Sequence, residues 1–299
     1  MRTLIARQDT TEPIVLDVAD LGSHVDAGDV LIDVVASSVN PVDHFVASGN
    51  AHPVFGLPHQ VGLGWDVVGR VRAVGTDVEG LAPGDLVAGL HDDLTVPSRA
   101  HATQVVLPAA ALALVPADLS PVDAATVPLN ALTADQALRP LGAADGRSLL
   151  VTGAAGAVGG YAVALAAAAG WDVTGLARPE DERWVRAAGA AHFVTSPEPA
   201  AYDVVLDAAV LDVAAVAATR DGGDYVGVMP PAVPRAERGV RIGVVSVRAD
   251  GARLAELLAR TAAGELEARV AGTAALEDAA TVYAKVAAGG QRGRWVLEV

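Results

Sequence analysis

The chain has 299 residues, 52% hydrophobic and only 4% aromatic, enough for two domains whose cores rest on Ala, Val and Leu. A net charge of −15 argues against nucleic acid and anionic membranes as partners, since such a surface repels polyanions and favours solubility. The absence of cysteine excludes disulfides, thiolate-bound structural zinc and a cysteine nucleophile.

The N-terminus, Met1-Arg2-Thr3-Leu4, lacks the apolar run and cleavage site of a signal peptide. The most apolar window, Tyr161 to Ala169, is short and bounded by glycines, which suits a buried helix better than a membrane span. The expected location is therefore the cytoplasm. Val30 to Val35 and Val67 to Val74 read as strands, with turn punctuation such as Pro83-Gly84-Asp85, and predict a mostly β domain up to about residue 118. Three histidines, His44, His52 and His59, fall in a segment read as loop, and His91 and His101 flank Asp92-Asp93 in another. Neither set has metal-ligand spacing, so no metal site is expected.

Pro121 to Leu138 has helical spacing, with Ser120 and Asp123 as start signals. From Ser148 onward strand and helix alternate. Strands are expected at Ser148 to Thr152, Trp171 to Leu176, His192 to Val194, Val204 to Leu206, Tyr225 to Met229 and Gly243 to Val247. Helices are expected at Val158 to Ala169 and Asp181 to Ala188. That alternation means a parallel sheet covered on both faces, an α/β doubly wound domain. The C-terminal run Gly293 to Val299 is again strand-like and is expected to return to the first domain.

The sharpest motif is Val151-Thr152-Gly153-Ala154-Ala155-Gly156-Ala157-Val158-Gly159-Gly160, which follows a strand and opens a helix. Gly153, Ala155, Gly156, Ala157 and Val158 would line a pyrophosphate: Gly156 admits the backbone, and the helix N-terminus offers N–H groups and a favourable dipole. The bland alternative is a tight strand-to-helix turn without ligand. The next strand ends Ala177-Arg178, where an NAD-binding chain would place Asp or Glu on the ribose. An arginine there grips a 2′-phosphate, which favours NADPH. The alternative makes Arg178 a solvated surface residue, with Glu180 or Asp181 on the ribose.

Several segments in order, Ala36-Ser37-Ser38-Val39-Asn40-Pro41-Val42-Asp43, Gly64-Trp65-Asp66-Val67-Val68-Gly69-Arg70-Val71, Ala124 to Ala134, and Arg292-Gly293-Arg294-Trp295-Val296-Leu297, resemble zinc-independent quinone oxidoreductase-like members of the medium-chain dehydrogenase/reductase superfamily. The resemblance implies a GroES-like, mostly β catalytic domain (1–118 plus 268–299) and a Rossmann cofactor domain (119–267). It implies a homodimer, and NADPH-dependent hydride transfer to a small quinone or similar conjugated carbonyl acceptor. An enoyl-thioester or alkenal reductase of the same group, or a non-catalytic NADPH-binding sensor, are the alternatives.

By the same resemblance Asn40 is the catalytic candidate, its amide contacting nicotinamide or the substrate carbonyl; otherwise it is a turn residue before Pro41. Asp43 either orients Asn40 or binds a loop N–H. Thr133, Asp207, Met229 and Val247 are further expected cofactor contacts, although Asp207-Ala208-Ala209-Val210 lacks the glycines usual in that loop.

Overall fold

The structure, a computed structural model, describes residues 1–22 and 25–299. It divides into two compact units. One comprises Met1–Leu129, Arg248–Ala263 and Ala268–Val299, the other Asn130–Val247 and Gly264–Glu267.

The first unit is built around the eleven-residue strand Asp29–Val39, eight of whose residues are buried. Its first half pairs antiparallel with Gln104–Pro108 and its second half with Arg294–Glu298, while Asp66–Val74 runs antiparallel along its other edge. Leu86–Leu90 and Leu112–Leu114 extend the sheet beyond Asp66–Val74, and Val270–Ala275 extends it beyond Arg294–Glu298. A three-stranded sheet of Ile14–Asp17, Arg2–Arg7 and Gln60–Gly62 lies beside it in the chain's first unit. One apolar cluster joins Leu4, Val39, Val46, Leu63, Val282, Tyr283 and Leu297, so the C-terminal return predicted from Gly293 to Val299 is both paired and packed.

The second unit carries six parallel strands in the order His192–Val194, Asp172–Leu176, Ser148–Thr152, Tyr202–Asp207, Thr219–Gly227, Arg241–Val244. This is the doubly wound order 3-2-1-4-5-6, with its switch point between the first strand and the fourth. Ligands of such sheets sit outside the carboxyl ends of the strands at that point.

Several elements differ from the sequence expectation. The single helix over 121–138 is two, Pro121–Ala124 and Pro128–Leu138. Pro128 has no N–H and disfavours helical geometry in the residue before it, so the chain breaks and restarts. His44 lies on the helix Pro41–Ala47 and His52 on the helix Ala51–Phe55, not in a loop. The helix Gly251–Ala262, within the range read as cofactor domain, falls in the first unit. A Cβ on Gly251 would lie 2.3 Å from the Leu112 carbonyl oxygen, so the bare glycine lets the helix start directly on the strand Leu112–Leu114. Among the described residues no helix is long and apolar enough to cross a membrane.

Close pairing in the main sheet depends on Gly69, where a Cβ would meet the Asp33 carbonyl oxygen at 2.3 Å. The neighbour is backbone inside a paired strand and has nowhere to move. Gly69→Ala should lower stability by about 1–3 kcal/mol, as overpacking does. Gly28→Ala, with nothing within 4 Å of its Cβ, should change little by comparison. Chemical denaturation of the two variants checks this, and equal midpoints would refute the steric account.

Candidate functional site

In the first unit the motif residues converge on a carboxylate without exposed surface. Asp66 opens the strand Asp66–Val74 and is 0% exposed. Its Oδ1 accepts the Leu129 N–H at 2.6 Å; its Oδ2 accepts the Asn40 Nδ2–H at 2.7 Å and the Ser38 hydroxyl. The Asn40 amide also donates to Ser38 Oγ at 3.0 Å, and its Oδ1 accepts from Arg294 Nε at 2.8 Å. With a carboxylate on the nitrogen side and a guanidinium on the oxygen side, only this amide orientation satisfies both neighbours.

Asn40 is therefore 1% exposed, with both amide hydrogens and its oxygen engaged inside the unit. That differs from the expected contact to nicotinamide or substrate carbonyl: in this arrangement the amide holds Arg294 and Asp66 in place. Asp43 plays both roles considered for it. Its Oδ2 accepts the Asn40 backbone N–H at 2.8 Å, and its Oδ1 accepts the Gly64 N–H at 3.0 Å.

Next to this cluster His101, 0% exposed, reaches the Ser38 carbonyl through Nε2 at 3.0 Å. A carbonyl only accepts, so Nε2 carries the proton and Nδ1 accepts from the Tyr283 hydroxyl at 2.8 Å. Burial lowers the His101 pKa, consistent with this neutral tautomer. Sequence reading gave no role to Ser38, Asp66, His101 or Arg294. The available signal was chemical: a lone acid inside Trp65-Asp66-Val67-Val68 needs donors if the strand is buried.

Burial pushes the Asp66 carboxyl up to about 6, against the hydrogen bonds from Ser38, Leu129 and Asn40 that favour its charge. Burial likewise lowers Arg294 to about 10, partly offset by Asp66 and Asp43. For an acid raised in the folded state, the associated stability is fully present below the unfolded pKa and is lost as pH rises through the folded value. The stability of the wild type relative to Asp66→Asn should therefore grow as pH falls from about 7 to about 4. Paired denaturation curves across that range measure it, and a pH-independent difference would refute it.

In the second unit the motif forms the turn between the strand Ser148–Thr152 and the helix Ala157–Ala168. Gly153 has φ +59°, a left-handed conformation that favours glycine. A Cβ on Gly159 would lie 2.2 Å from the Gly153 carbonyl oxygen, so helix and turn touch backbone to backbone. Gly156 is the N-cap residue in extended conformation and presents no side chain. Ala155 and Ala157 are buried and Val158 half-buried. These bare positions leave a cradle that fits a pyrophosphate above the first turn of the helix, at the switch point of the sheet.

Arg178, at the end of the neighbouring strand, is half exposed, its Nε 3.0 Å from Asp181 Oδ2 and 3.5 Å from Glu180 Oε1. Both acidic alternatives for the ribose thus gather on the same arginine. Thr133 is buried in the helix Pro128–Leu138, and Met229 and Val247 are half-buried just past the strands Thr219–Gly227 and Arg241–Val244. Asp207 ends the strand Tyr202–Asp207 beside Thr152 and is 0% exposed, so it offers no surface to a ribose. The chain has no cysteine, and among the described residues no three His, Asp or Glu side chains gather as ligands.

Known proteins share this fold and parts of this sequence. Residues 26–119 match the alcohol dehydrogenase GroES-like domain and residues 181–297 the zinc-binding dehydrogenase domain. The chain is 39% identical over 171 residues, 57% of its length, to erythronolide synthase EryA2 of Saccharopolyspora erythraea, of which this spans 4%. It is 37% identical over 160 residues, 50% of its length, to 2-methylene-furan-3-one reductase of Solanum lycopersicum, of which this spans 41%. The chain thus spans less than two thirds of these relatives. The quinone oxidoreductase of Coxiella burnetii has the same fold, with TM-score 0.84 over 100% of this chain and 99% of that one, at 23% identity. With both domain matches in sequence order on this fold, the chain belongs to the medium-chain dehydrogenase/reductase superfamily.

Proposed function

We propose that this chain is an NADPH-dependent reductase that passes hydride, without zinc, to a small quinone or similar conjugated carbonyl acceptor. The observation that carries this reading is the bare glycine turn at the switch point with Arg178 at the end of the adjacent strand. When bound, the nicotinamide supplies the hydride. The chain's own share is binding and orientation. Gly153, Ala155, Gly156, Ala157 and Val158 hold the pyrophosphate at the helix N-terminus. Arg178 donates to the 2′-phosphate in exchange for its contacts to Asp181 and Glu180. Thr133, Met229 and Val247 border the nicotinamide, and Asn40 acts by bracing Arg294 against Asp66. Solvent protonates the reduced product. The exposed row of backbone groups on the edge strand Arg241–Val244 is the proposed seam of a homodimer.

A second acceptor class is supported by the similarity to a reductase of 2-methylene-furan-3-one, a conjugated alkene. In that reading hydride goes to the β-carbon of an alkenal, enone or enoyl thioester. A panel of quinones, enones and enoyl thioesters separates the two by relative kcat/KM.

Fluorescence titration of NADPH and NADH against wild type and Arg178→Ala tests the cofactor. NADPH should bind at least about tenfold more tightly, a gap of about 1.4 kcal/mol, and the substitution should close it. Equal affinities in the wild type would sink the NADPH assignment, and no binding of either nucleotide would sink the reductase reading.

A further inference from the structure

Two of the five residues after Asp207 carry unusual backbone. Val210 has φ +56° and Asp212 φ +50°, in the left-handed region that side chains resist and that a β-branched residue resists most. Something must hold them there. The holder is Asp207, which accepts four hydrogen bonds: from the Thr152 hydroxyl at 2.6 Å, the Leu211 N–H at 3.1 Å, the Asp212 N–H at 2.9 Å and the Tyr225 hydroxyl at 3.0 Å. A carboxylate offers about four acceptor sites, so none remains for a ribose hydroxyl.

The same cluster fixes the loop against the cofactor turn. The Thr152 hydroxyl donates to Asp207 and accepts the Ala209 N–H at 3.0 Å. A Cβ on Gly153 would lie 3.2 Å from Ala209 Cβ, so the loop packs on the first glycine of the cradle. Tyr225 is 1% exposed, and burial beside Asp207 raises its pKa, keeping its hydroxyl a donor.

We propose that Asp207, with Thr152 and Tyr225, is a positioning residue that clamps the strained loop Ala208 to Asp212 against the cofactor turn, and that this loop forms part of the bed for the pyrophosphate and nicotinamide half of the cofactor. The inference rests on the cofactor reading above. Asp207 acts through the loop and not by touching the cofactor. Arg178 stands on the other side of the first strand, so the adenosine end should be indifferent to the clamp.

The test uses four proteins: wild type, Asp207→Asn, Val210→Gly and the double variant. NADPH and adenosine 2′,5′-bisphosphate are titrated against each, and amide hydrogen exchange is followed without ligand. Asp207→Asn should weaken NADPH about tenfold and leave the bisphosphate within about twofold. It should also remove exchange protection at Leu211 and Asp212. Adding Val210→Gly, which makes the left-handed geometry easy, should recover most of the NADPH affinity. Val210→Gly alone should raise the melting temperature, which keeps the idea testable if Asp207→Asn fails to fold. Unchanged NADPH affinity in Asp207→Asn, loss without recovery in the double variant, or destabilisation by Val210→Gly would each overturn the clamp. If wild type binds the bisphosphate but not NADPH, the loop is not a cofactor bed. If it binds neither, the cofactor reading itself has failed.

Discussion

Taking a carboxylate out of water is expensive unless donors replace the water, and Asp66 and Asp207, which like Asp43 have no exposed surface, impose that requirement on this protein. Asp66 in the first unit gathers Ser38, Asn40 and the Leu129 N–H. Asp207 in the second gathers Thr152, Tyr225 and two loop amides. Each sits at an end of a strand, where the ladder stops and the backbone must be told where to go next. In both cases the carboxylate replaces regular pairing with a set of fixed directions. The residues around them are consequently held by several bonds each, the condition under which a site keeps its geometry.

The remaining constraint is close approach. Gly69 lets Asp66–Val74 lie against Asp29–Val39, and Gly159 lets the first Rossmann helix touch the turn that feeds it. At both places the nearest atom to an added Cβ is a backbone carbonyl oxygen. The sheets therefore depend on absent side chains as much as on the Val and Leu that fill their interiors. In the cofactor loop the logic is reversed. Val210 and Asp212 occupy conformations that favour glycine, and hydrogen bonds hold what steric freedom would otherwise have allowed. Left-handed geometry at such residues costs about 1–3 kcal/mol each, and it is tolerated where the surroundings over-determine it.

Much of the fold was legible because it rests on local signals. The alternation of strands and helices from Ser148 and the glycine turn are properties of neighbouring residues, and they indicated a parallel sheet whose first strand passes through bare glycines into a helix. Helix boundaries were less legible. The break before Pro128 could have been read from the proline alone, whereas the placement of Gly251–Ala262 in the first unit depended on a contact with Leu112, about 140 residues earlier in the chain.

The sequence by itself determined which chemistry is available: no thiolates, a bare turn at the start of a helix, an arginine at the end of the neighbouring strand, and asparagine, aspartate and arginine motifs far apart in the chain. Only the tertiary structure decided which partners those motifs meet. Asn40 and Arg294 are 254 positions apart and meet at 2.8 Å, a contact that no local pattern announces. Asp207 and Tyr225 meet across neighbouring parallel strands, so the partners of that carboxylate come from two elements. Hydrogen-bond capacity is a property of a residue type and can be read in sequence. Which partners use up that capacity depends on distance after folding, and a linear chain does not contain that distance.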